Sequence, residues 1–309
     1  MKRTKLFSRV GFLALSLALL LVLSGCAPGI TDDVDVEDLD IVETAEGAEI
    51  FDTLLAAAAE AGLVDTLKSE GPFTVFAPTD DAFVDLLDGL EITAGDLLED
   101  ERLVNILKYH VLAGKVMAGD LSDGDTPETL LIPQILMIGV ADEKVTVNDI
   151  EVTTPDIEAS NGVIHVIDGV LFPPDIVETA EGAEIFDTLL AAAAKAGLVD
   201  ALKSDDLLTV FAPTDDAFVD LLDDLEITAD DLLASDELED ILLYHVVSGQ
   251  VMSADLSDGQ EVETLLDEKI TITINDGVFV NDAEVSIADI ETLNGVIHVI
   301  DAVLWPPDL

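Results

Sequence analysis

The hydrophobic positions beyond residue 40 follow a helical period first and a strand period later. Ile50, Phe51, Leu54, Leu55 and Ala58 have helical spacing, and the glycine at position 62 is suited to a C-terminal cap. β-Branched residues alternate with other residues in 144–148 and again in 163–167, which is typical of strands. Helices followed by strands predict an α+β domain.

A strand-to-helix corner is predicted around residue 79. The β-prone run 73–76 is stopped by Pro78, and Thr79 can cap the next helix through its hydroxyl group. Asp80 and Asp81 then lie in the first turn, where negative charge stabilises a helix.

The chain contains two copies of one unit. The run IVETAEGAEIFDTLLAAAA fills residues 41–59 and recurs at 176–194, at an offset of 135. The motif NGVIHVID begins at residue 161 and again at residue 294, so the first copy has two extra residues within 131–145. A period of this length fits a whole domain with its own core.

These patterns divide the chain into four parts. Residues 1–25 are predicted to be a signal peptide, 26–40 an acidic tether, 38–174 the first domain and 175–309 the second. The joint Phe172-Pro173-Pro174-Asp175 is short and stiffened by two prolines, so we expect a restricted orientation between the domains.

The N-terminus predicts export and attachment to a membrane. Four basic residues precede the apolar stretch 10–23, which is short for a bilayer span and suits a signal-peptide core. The run Leu23-Ser24-Gly25-Cys26 resembles the lipobox of bacterial lipoproteins, which implies acylation of Cys26 and a location facing the outside or the periplasm. The alternatives are an ordinary signal peptide with a free cysteine and a short signal anchor.

Acidic residues dominate the charge. The chain has 66 acidic and 12 basic residues and a formal charge of −54, and removing the four signal-peptide cations gives −58. Such a surface repels nucleic acid. Half of the residues are hydrophobic and fall in periodic blocks, so the chain is predicted to be folded. The acidity indicates either adaptation to salt, which we favour, or a capacity for divalent cations.

The four histidines occupy two repeated positions. His110 continues an apolar helical stripe, and His165 alternates with apolar residues along a strand. Both patterns favour a buried, hydrogen-bonded histidine over a metal ligand or an acid/base group. The sequence contains no His-x-His, His-x₃-His or cysteine pair and no Gly-x-Ser-x-Gly elbow or phosphate loop. We therefore predict no catalytic residue, no metal site and no cofactor.

Three motifs appear in the same order in both copies. They are TVFAPTDDAF, a Tyr-His pair after an apolar helix, and NGVIHVID followed shortly by Pro-Pro. Over residues 38–309 they resemble the motifs of fasciclin-type domains. The resemblance implies a helical layer packed on a β-sandwich or wedge, and a place among extracellular or membrane-anchored adhesion and matrix proteins.

The resemblance also implies candidate adhesion contacts. Animal members use the Tyr-His region and an Asp-Ile pair before the Asn-Gly motif for integrin contact. The matching residues here are Tyr109, His110, Asp156, Ile157, Tyr244, His245, Asp289 and Ile290. Glu158 and Glu291 follow the pair where that motif has methionine, so core or strand-edge roles are the alternative.

The sequence thus predicts a non-enzymatic, lipid-anchored surface protein. Its paired domains are expected to mediate adhesion to cells, to matrix protein or polysaccharide, or to envelope partners, with avidity from duplication. The alternative is an envelope lipoprotein that binds a small ligand or cations. An enzyme that uses His165 or Asp168 is the third hypothesis.

Overall fold

The computed structural model describes residues 39–141 and 144–309. The signal peptide, Cys26 and nearly all of the tether lie outside the described residues. Asp40, which the predicted tether and the predicted first domain share, caps the first helix of that domain. Its carboxylate accepts a hydrogen bond from the Glu43 N–H at 2.9 Å, and the Glu43 carboxylate accepts one from the Asp40 N–H.

The first domain opens with a helix that apolar spacing does not predict. Its first three helices are α1 (Ile41–Ala48), α2 (Asp52–Glu60) and α3 (Val64–Leu67). The periodicity of residues 50–58 predicts α2, which is therefore the second helix and not the first. Gly62 follows it with a left-handed φ of 68°. The capping pair Asp40 and Glu43 is the sequence signal that identifies α1.

The other elements of the first domain are a mixture of helices and strands. They are β1 (Phe73–Pro78), α4 (Asp80–Leu90), α5 (Ala94–Leu98), α6 (Leu103–Tyr109), β2 (Val111–Ala113), β3 (Ile138–Ala141), β4 (Lys144–Val147), β5 (Ile150–Ala159) and β6 (Gly162–Ile167).

The second domain repeats this order with one additional short strand. Its helices are α7 (Ile176–Ala183), α8 (Asp187–Ala196), α9 (Val199–Leu202), α10 (Asp215–Leu225), α11 (Ala229–Leu233) and α12 (Leu238–Leu243). Its strands are β7 (Leu208–Pro213), β8 (Val246–Ser248), β9 (Glu261–Glu263), β10 (Lys269–Ile274), β11 (Val278–Val280), β12 (Ala283–Thr292) and β13 (Gly295–Ile300).

Each domain is built around one sheet. The strand order is β2-β1-β6-β5-β4-β3 in the first domain and β8-β7-β13-β12-β11-β10-β9 in the second. β1 and β6 run parallel, as do β7 and β13, and the other neighbours are antiparallel. Every residue of β6 is buried, so this strand is covered on both faces.

Alternate residues of β1 face two different cores. Val75 packs on the helix side with Ile41 and Phe51. Phe76 packs on the other side with Ile138 and Val147, which belong to the far end of the same sheet. The sheet therefore curls over one core while the helices cover the other, and this confirms the α+β fold with a helical layer.

The predicted corner after β1 is confirmed, and it has a second role. The Thr79 hydroxyl accepts a hydrogen bond from the Ala82 N–H at 3.3 Å and so caps α4. The Asp80 carboxylate accepts from the Thr53 N–H at 2.8 Å and from the Asp52 N–H at 3.3 Å. Asp80 therefore joins the start of α4 to the start of α2, and Asp215 makes the same bonds in the second domain.

The second domain docks on α6 of the first through the turn between β12 and β13. The fully buried Asn105 donates from Nδ2 to the carbonyl oxygens of Thr292 and Leu293 at 3.0 and 3.1 Å. Lys108 forms an ion pair with Glu291, whose side chain is 8% exposed. These contacts connect residues more than 180 positions apart in the sequence.

A loop of the first domain completes the same interface. The Glu291 N–H donates to the Ile132 carbonyl oxygen at 2.9 Å, and Gln134 Nε2 donates to the Glu291 carbonyl oxygen at 2.7 Å. The proline-containing joint between the domains is bound to the second domain as well, because the Leu293 N–H donates to the Pro174 carbonyl oxygen at 2.9 Å. The relative orientation of the two domains is therefore fixed by direct contacts as well as by the prolines.

The second domain lacks the residues that would let this interface repeat. Asp240 and Leu243 stand at the positions of Asn105 and Lys108. In the loop, the acidic pair Asp267-Glu268 replaces Ile132-Pro133-Gln134, which contains one of the two extra residues of the first copy. Acidic groups repel a turn that carries glutamate, so this part of the second domain is unsuited to an equivalent contact.

We expect Lys108→Ala to destabilise the folded chain. The substitution leaves the Glu291 carboxylate nearly buried without its cation, which costs about 1–3 kcal/mol because Lys108 itself keeps some access to water. Urea unfolding at pH 7 measures the change in the free energy of unfolding.

Lys115→Ala is the matched control for this measurement. Lys115 pairs with Glu158, the counterpart of Glu291 in the first domain, but that glutamate is 67% exposed. The control is expected to cost less than about 1 kcal/mol. Equal losses in the two variants would contradict the buried ion pair between the domains.

Candidate functional site

The Tyr109 side chain is buried beneath the loop that follows β2. Its hydroxyl donates to the Ile135 carbonyl oxygen at 2.9 Å and accepts from Asn148 Nδ2 at 2.9 Å. Burial raises the pKa of Tyr109, and the hydrogen bond from Asn148 opposes this shift. Tyr244 makes the same two bonds in the second domain. Tyr109 therefore holds the loop that precedes β3, and Tyr244 holds the start of β10.

His110 is fully enclosed and uses both ring nitrogens. Its Nδ1 lies 2.8 Å from the Ile106 carbonyl oxygen, and its Nε2 accepts from the Leu171 N–H at 2.9 Å. A carbonyl oxygen can only accept, so Nδ1 carries the proton and the ring is neutral. Burial lowers the pKa of His110 to about 4. His245 has the same contacts, and burial also lowers its pKa to about 4.

Asp156 lies at a bulge in β5 and holds the segment that follows β2. Its φ is 61°, in the left-handed region, and its carboxylate accepts from the Ala118 N–H at 2.8 Å. In the second domain the Asp289 carboxylate accepts from the Ser253 N–H at 2.7 Å and from the Ser253 hydroxyl.

The isoleucine of each pair points toward the helix side of the sheet. Ile157 is half-buried and packs against the core that contains Ile41 and Val75. Ile290 packs in the same way against the corresponding core of the second domain. The isoleucines therefore contribute to packing beneath the helices.

His165 lies directly beneath the bulge at Asp156. Its Nδ1 accepts from the Asp156 N–H at 3.1 Å, and its Nε2 donates to the Val116 carbonyl oxygen at 2.9 Å. Its proton is therefore on Nε2, the opposite choice from His110. His298 repeats these bonds, and burial lowers its pKa although the bond to the Val251 carbonyl oxygen and the charge of Asp289 act the other way.

The structure thus gathers the predicted site residues into two separate supports in each domain. Tyr109 and His110 anchor the end of α6 to the loop before β3 and to the segment after β6, whereas Asp156 and His165 anchor the bulge in β5. The prediction of buried, hydrogen-bonded histidines is confirmed.

All four imidazoles have both nitrogens engaged in hydrogen bonds within the protein. Among residues 39–141 and 144–309, no group of three or more His, Cys, Asp or Glu side chains is arranged to hold a metal ion. Within the same residues, no helix has the length and apolar character needed to cross a membrane.

Motif analysis missed an exposed apolar strip above Tyr109. Ile132, Ile135 and Met137 are 58%, 45% and 63% exposed on a chain with a formal charge of −54. Ile135 and Met137 have polar counterparts in the second domain, Lys269 and Thr271, which make the same backbone contacts. The sequence signal for this apolar strip is the difference between the copies within 131–145.

Both domains match the same protein-family model. The model of the Fasciclin domain matches residues 49–173 and 184–306. Protein sll1483 of Synechocystis sp. is 49% identical over 136 residues, which cover 43% of this chain and 73% of that protein. Uncharacterized protein sll1735 of the same organism is 45% identical over 131 residues, 42% of this chain and 97% of that protein.

A longer relative and a solved structure match both domains together. Periostin of Homo sapiens is 30% identical over 257 residues, which cover 81% of this chain but only 29% of periostin. A solved FAS1 domain pair from the insect cell adhesion molecule Fasciclin I aligns with 19% identity and a TM-score of 0.46. That alignment covers 86% of this chain and 99% of the solved one.

The hydrogen bonds of the histidines predict two different neutral tautomers. We expect His110 and His245 to carry the proton on Nδ1 and to bind a second proton only near pH 4. We expect His165 and His298 to carry it on Nε2. A ¹H–¹⁵N NMR titration of the imidazoles measures both properties, and a His110 signal that titrates near pH 6.5 would contradict the structure.

The same shifts predict a loss of stability in acid. An unfolded histidine has a pKa near 6.5, so the unfolded chain binds more protons than the folded chain between pH 6.5 and 4. The contribution of His110 is therefore complete above pH 6.5 and is lost as the pH falls through 4, by about 3 kcal/mol. Urea unfolding of His110→Gln, compared with the unaltered chain at pH 7 and pH 4, separates this loss from titration of the acids.

Proposed function

Since this chain belongs to the fasciclin domain family, we propose that it is a non-enzymatic adhesion protein of the cell surface. Fasciclin domains occur in adhesion proteins, and the family match covers both domains. The lipobox-like run ending at Cys26 supports an acylated cysteine as the membrane anchor. The anchored chain would then present both domains to cells, matrix or envelope partners outside the membrane.

The observation that carries this proposal is the apolar strip on the first domain. Exposed apolar side chains grouped on an otherwise charged surface mark sites of protein interaction. The exposed fraction is above one half for Ile132 and Met137 and slightly below one half for Ile135. The second domain has polar side chains at the positions of Ile135 and Met137. The apolar strip is therefore a property of one domain and not of the fold.

The family's adhesion positions act indirectly in this proposal. Tyr109 and His110 are buried, but the Tyr109 hydroxyl holds the carbonyl group of Ile135 within the apolar strip. Asp156 likewise fixes the segment that begins at Ala118. These residues, and their counterparts Tyr244, His245 and Asp289, would shape a contact surface without touching the partner, while Ile157 and Ile290 pack into the helix-side cores.

Exchange of two residues between the domains tests the role of the apolar strip. Beads coated with residues 27–309 are mixed with whole cells and with purified extracellular polysaccharide in molar NaCl. Ile135→Lys with Met137→Thr installs the residues of the second domain. If the two side chains are central to the contact, we expect at least about a tenfold weaker capture.

The control replaces an exposed apolar side chain elsewhere on the same domain. Val84 lies on α4 and is 53% exposed, so Val84→Thr removes apolar surface without altering the apolar strip. We expect it to leave capture unchanged. Equal capture by the double variant and the unaltered chain, with unfolding curves that agree, would contradict a role for the apolar strip.

We propose further that the acidic surface adapts the protein to salt. In 1 M NaCl the Debye length falls to about 3 Å, so repulsion among the carboxylates is screened and the folded state gains stability. The melting temperature is expected to rise by several degrees between 10 mM and 1 M NaCl. A flat melting temperature would contradict this explanation.

Calcium separates this explanation from cation binding. At equal ionic strength, CaCl₂ and NaCl should raise the melting temperature similarly if screening alone acts. A much larger rise at submillimolar CaCl₂ would favour specific sites for divalent cations.

A further inference from the structure

The two domains differ most in a cavity between the helices and the sheet. In the second domain the cavity has a volume of about 400 Å³ and is lined by side chains of α7, α8, α9, β7 and β13. The equivalent cavity of the first domain has a volume of about 40 Å³. The lining residues of α7 and α8 all lie in the 19-residue run that both copies share, so these two helices do not explain the difference. In α9 the lining residue Ala201 stands where the first domain has the larger Thr66.

Side chains at one end of the cavity explain it. Phe73 and Leu208 occupy the same place in the two sheets, because they pair with Gly162 and Gly295 at the starts of β6 and β13. Leu208 borders the large cavity, whereas Phe73 packs into the helix-side core of the first domain.

A leucine that both domains have at the same place in the sequence differs in its position in the structure. Leu130 packs against the helix-side core in the first domain. Its counterpart Leu265 is 41% exposed and borders the large cavity. The smaller side chain at position 208 and the outward position of Leu265 therefore open a space that the first domain fills.

The lining defines the chemistry of a ligand. Its buried members are aliphatic apart from His245, whose two ring nitrogens already have partners. The exposed members Asp206 and Ser248 mark a mouth with polar groups, and within the described part of the chain no lysine or arginine borders the cavity. An anionic head group would therefore meet a carboxylate without a compensating cation.

We propose that the second domain binds a small, uncharged aliphatic molecule in this cavity, with a hydroxyl-sized polar end at the mouth. A volume of about 400 Å³ lies within the range of pockets that hold small ligands. Cavities with aliphatic walls exclude water and accept apolar guests. This function is independent of the apolar strip, which lies on the other domain.

The test uses the neutral fluorescent probe N-phenyl-1-naphthylamine and a chain of residues 35–309, which contains the whole compact unit. We expect saturable binding with one site per chain, and displacement by 1-decanol at least tenfold more effective than displacement by decanoate. No saturable binding would overturn the proposal, and so would equal displacement by the alcohol and the carboxylate.

Reciprocal exchange of one residue locates the site. Leu208→Phe installs the side chain of the first domain and is expected to weaken probe binding at least tenfold. Phe73→Leu installs the side chain of the second domain and is expected to add binding capacity in the first. Unchanged binding in Leu208→Phe, with a thermal unfolding curve that shows a folded chain, would overturn the proposal.

The apolar strip provides the final control. Ile135→Lys with Met137→Thr leaves the cavity untouched and is expected to bind the probe as the unaltered chain does. Loss of probe binding in that variant would assign the binding to the apolar strip and overturn the cavity as the site.

Discussion

Each domain depends on one buried asparagine that joins three separate backbone segments. Asn161 accepts from the Ile41 N–H at 2.9 Å and donates to the carbonyl oxygens of Leu67 and Ser69 at 2.7 and 2.8 Å. The next residue must be glycine, because a Cβ atom on Gly162 would lie 2.1 Å from the Phe73 carbonyl oxygen. Asn294 and Gly295 repeat the arrangement. The chain has a single cysteine and cannot form an intrachain disulfide. Buried polar contacts of this kind therefore hold the backbone segments together.

The same principle explains why the most recognisable residues of this chain are internal. His110, His165 and Asp156 satisfy backbone N–H or carbonyl groups of segments that do not belong to regular hydrogen-bonded ladders. Replacing any of them leaves a buried backbone group without a partner, and this requirement applies equally to both domains. The shared motifs therefore specify the fold, whereas the functions that we propose for this chain rest on residues that differ between the copies.

Local features of the sequence were sufficient to predict several elements, although not α1, and they did not predict the long-range contacts. The α6 stripe, the Thr79 cap and the alternation in β6 depend on residues close together in sequence, so each was predictable. The apolar strip, the docking of Asn105 and the cavity depend on single side chains that are far apart in sequence from their surroundings in the fold. A local pattern does not reveal such contacts. Phe73 and Leu208 are both ordinary strand residues by pattern, and only their position against the helices shows that one fills a cavity and the other leaves it open.

Duplication without divergence would have produced a different molecule. A head-to-tail interface between identical domains has an unused half at each end and continues into a filament. Here Leu243 and Asp240 replace the two docking residues of α6, so the second domain does not offer an equivalent docking surface. Leu265 of the second domain is exposed at the edge of the cavity, whereas Leu130 of the first domain packs inward. The two copies therefore share one fold but differ in the side chains of the docking helix and of the cavity, which makes the second domain chemically distinct from its twin.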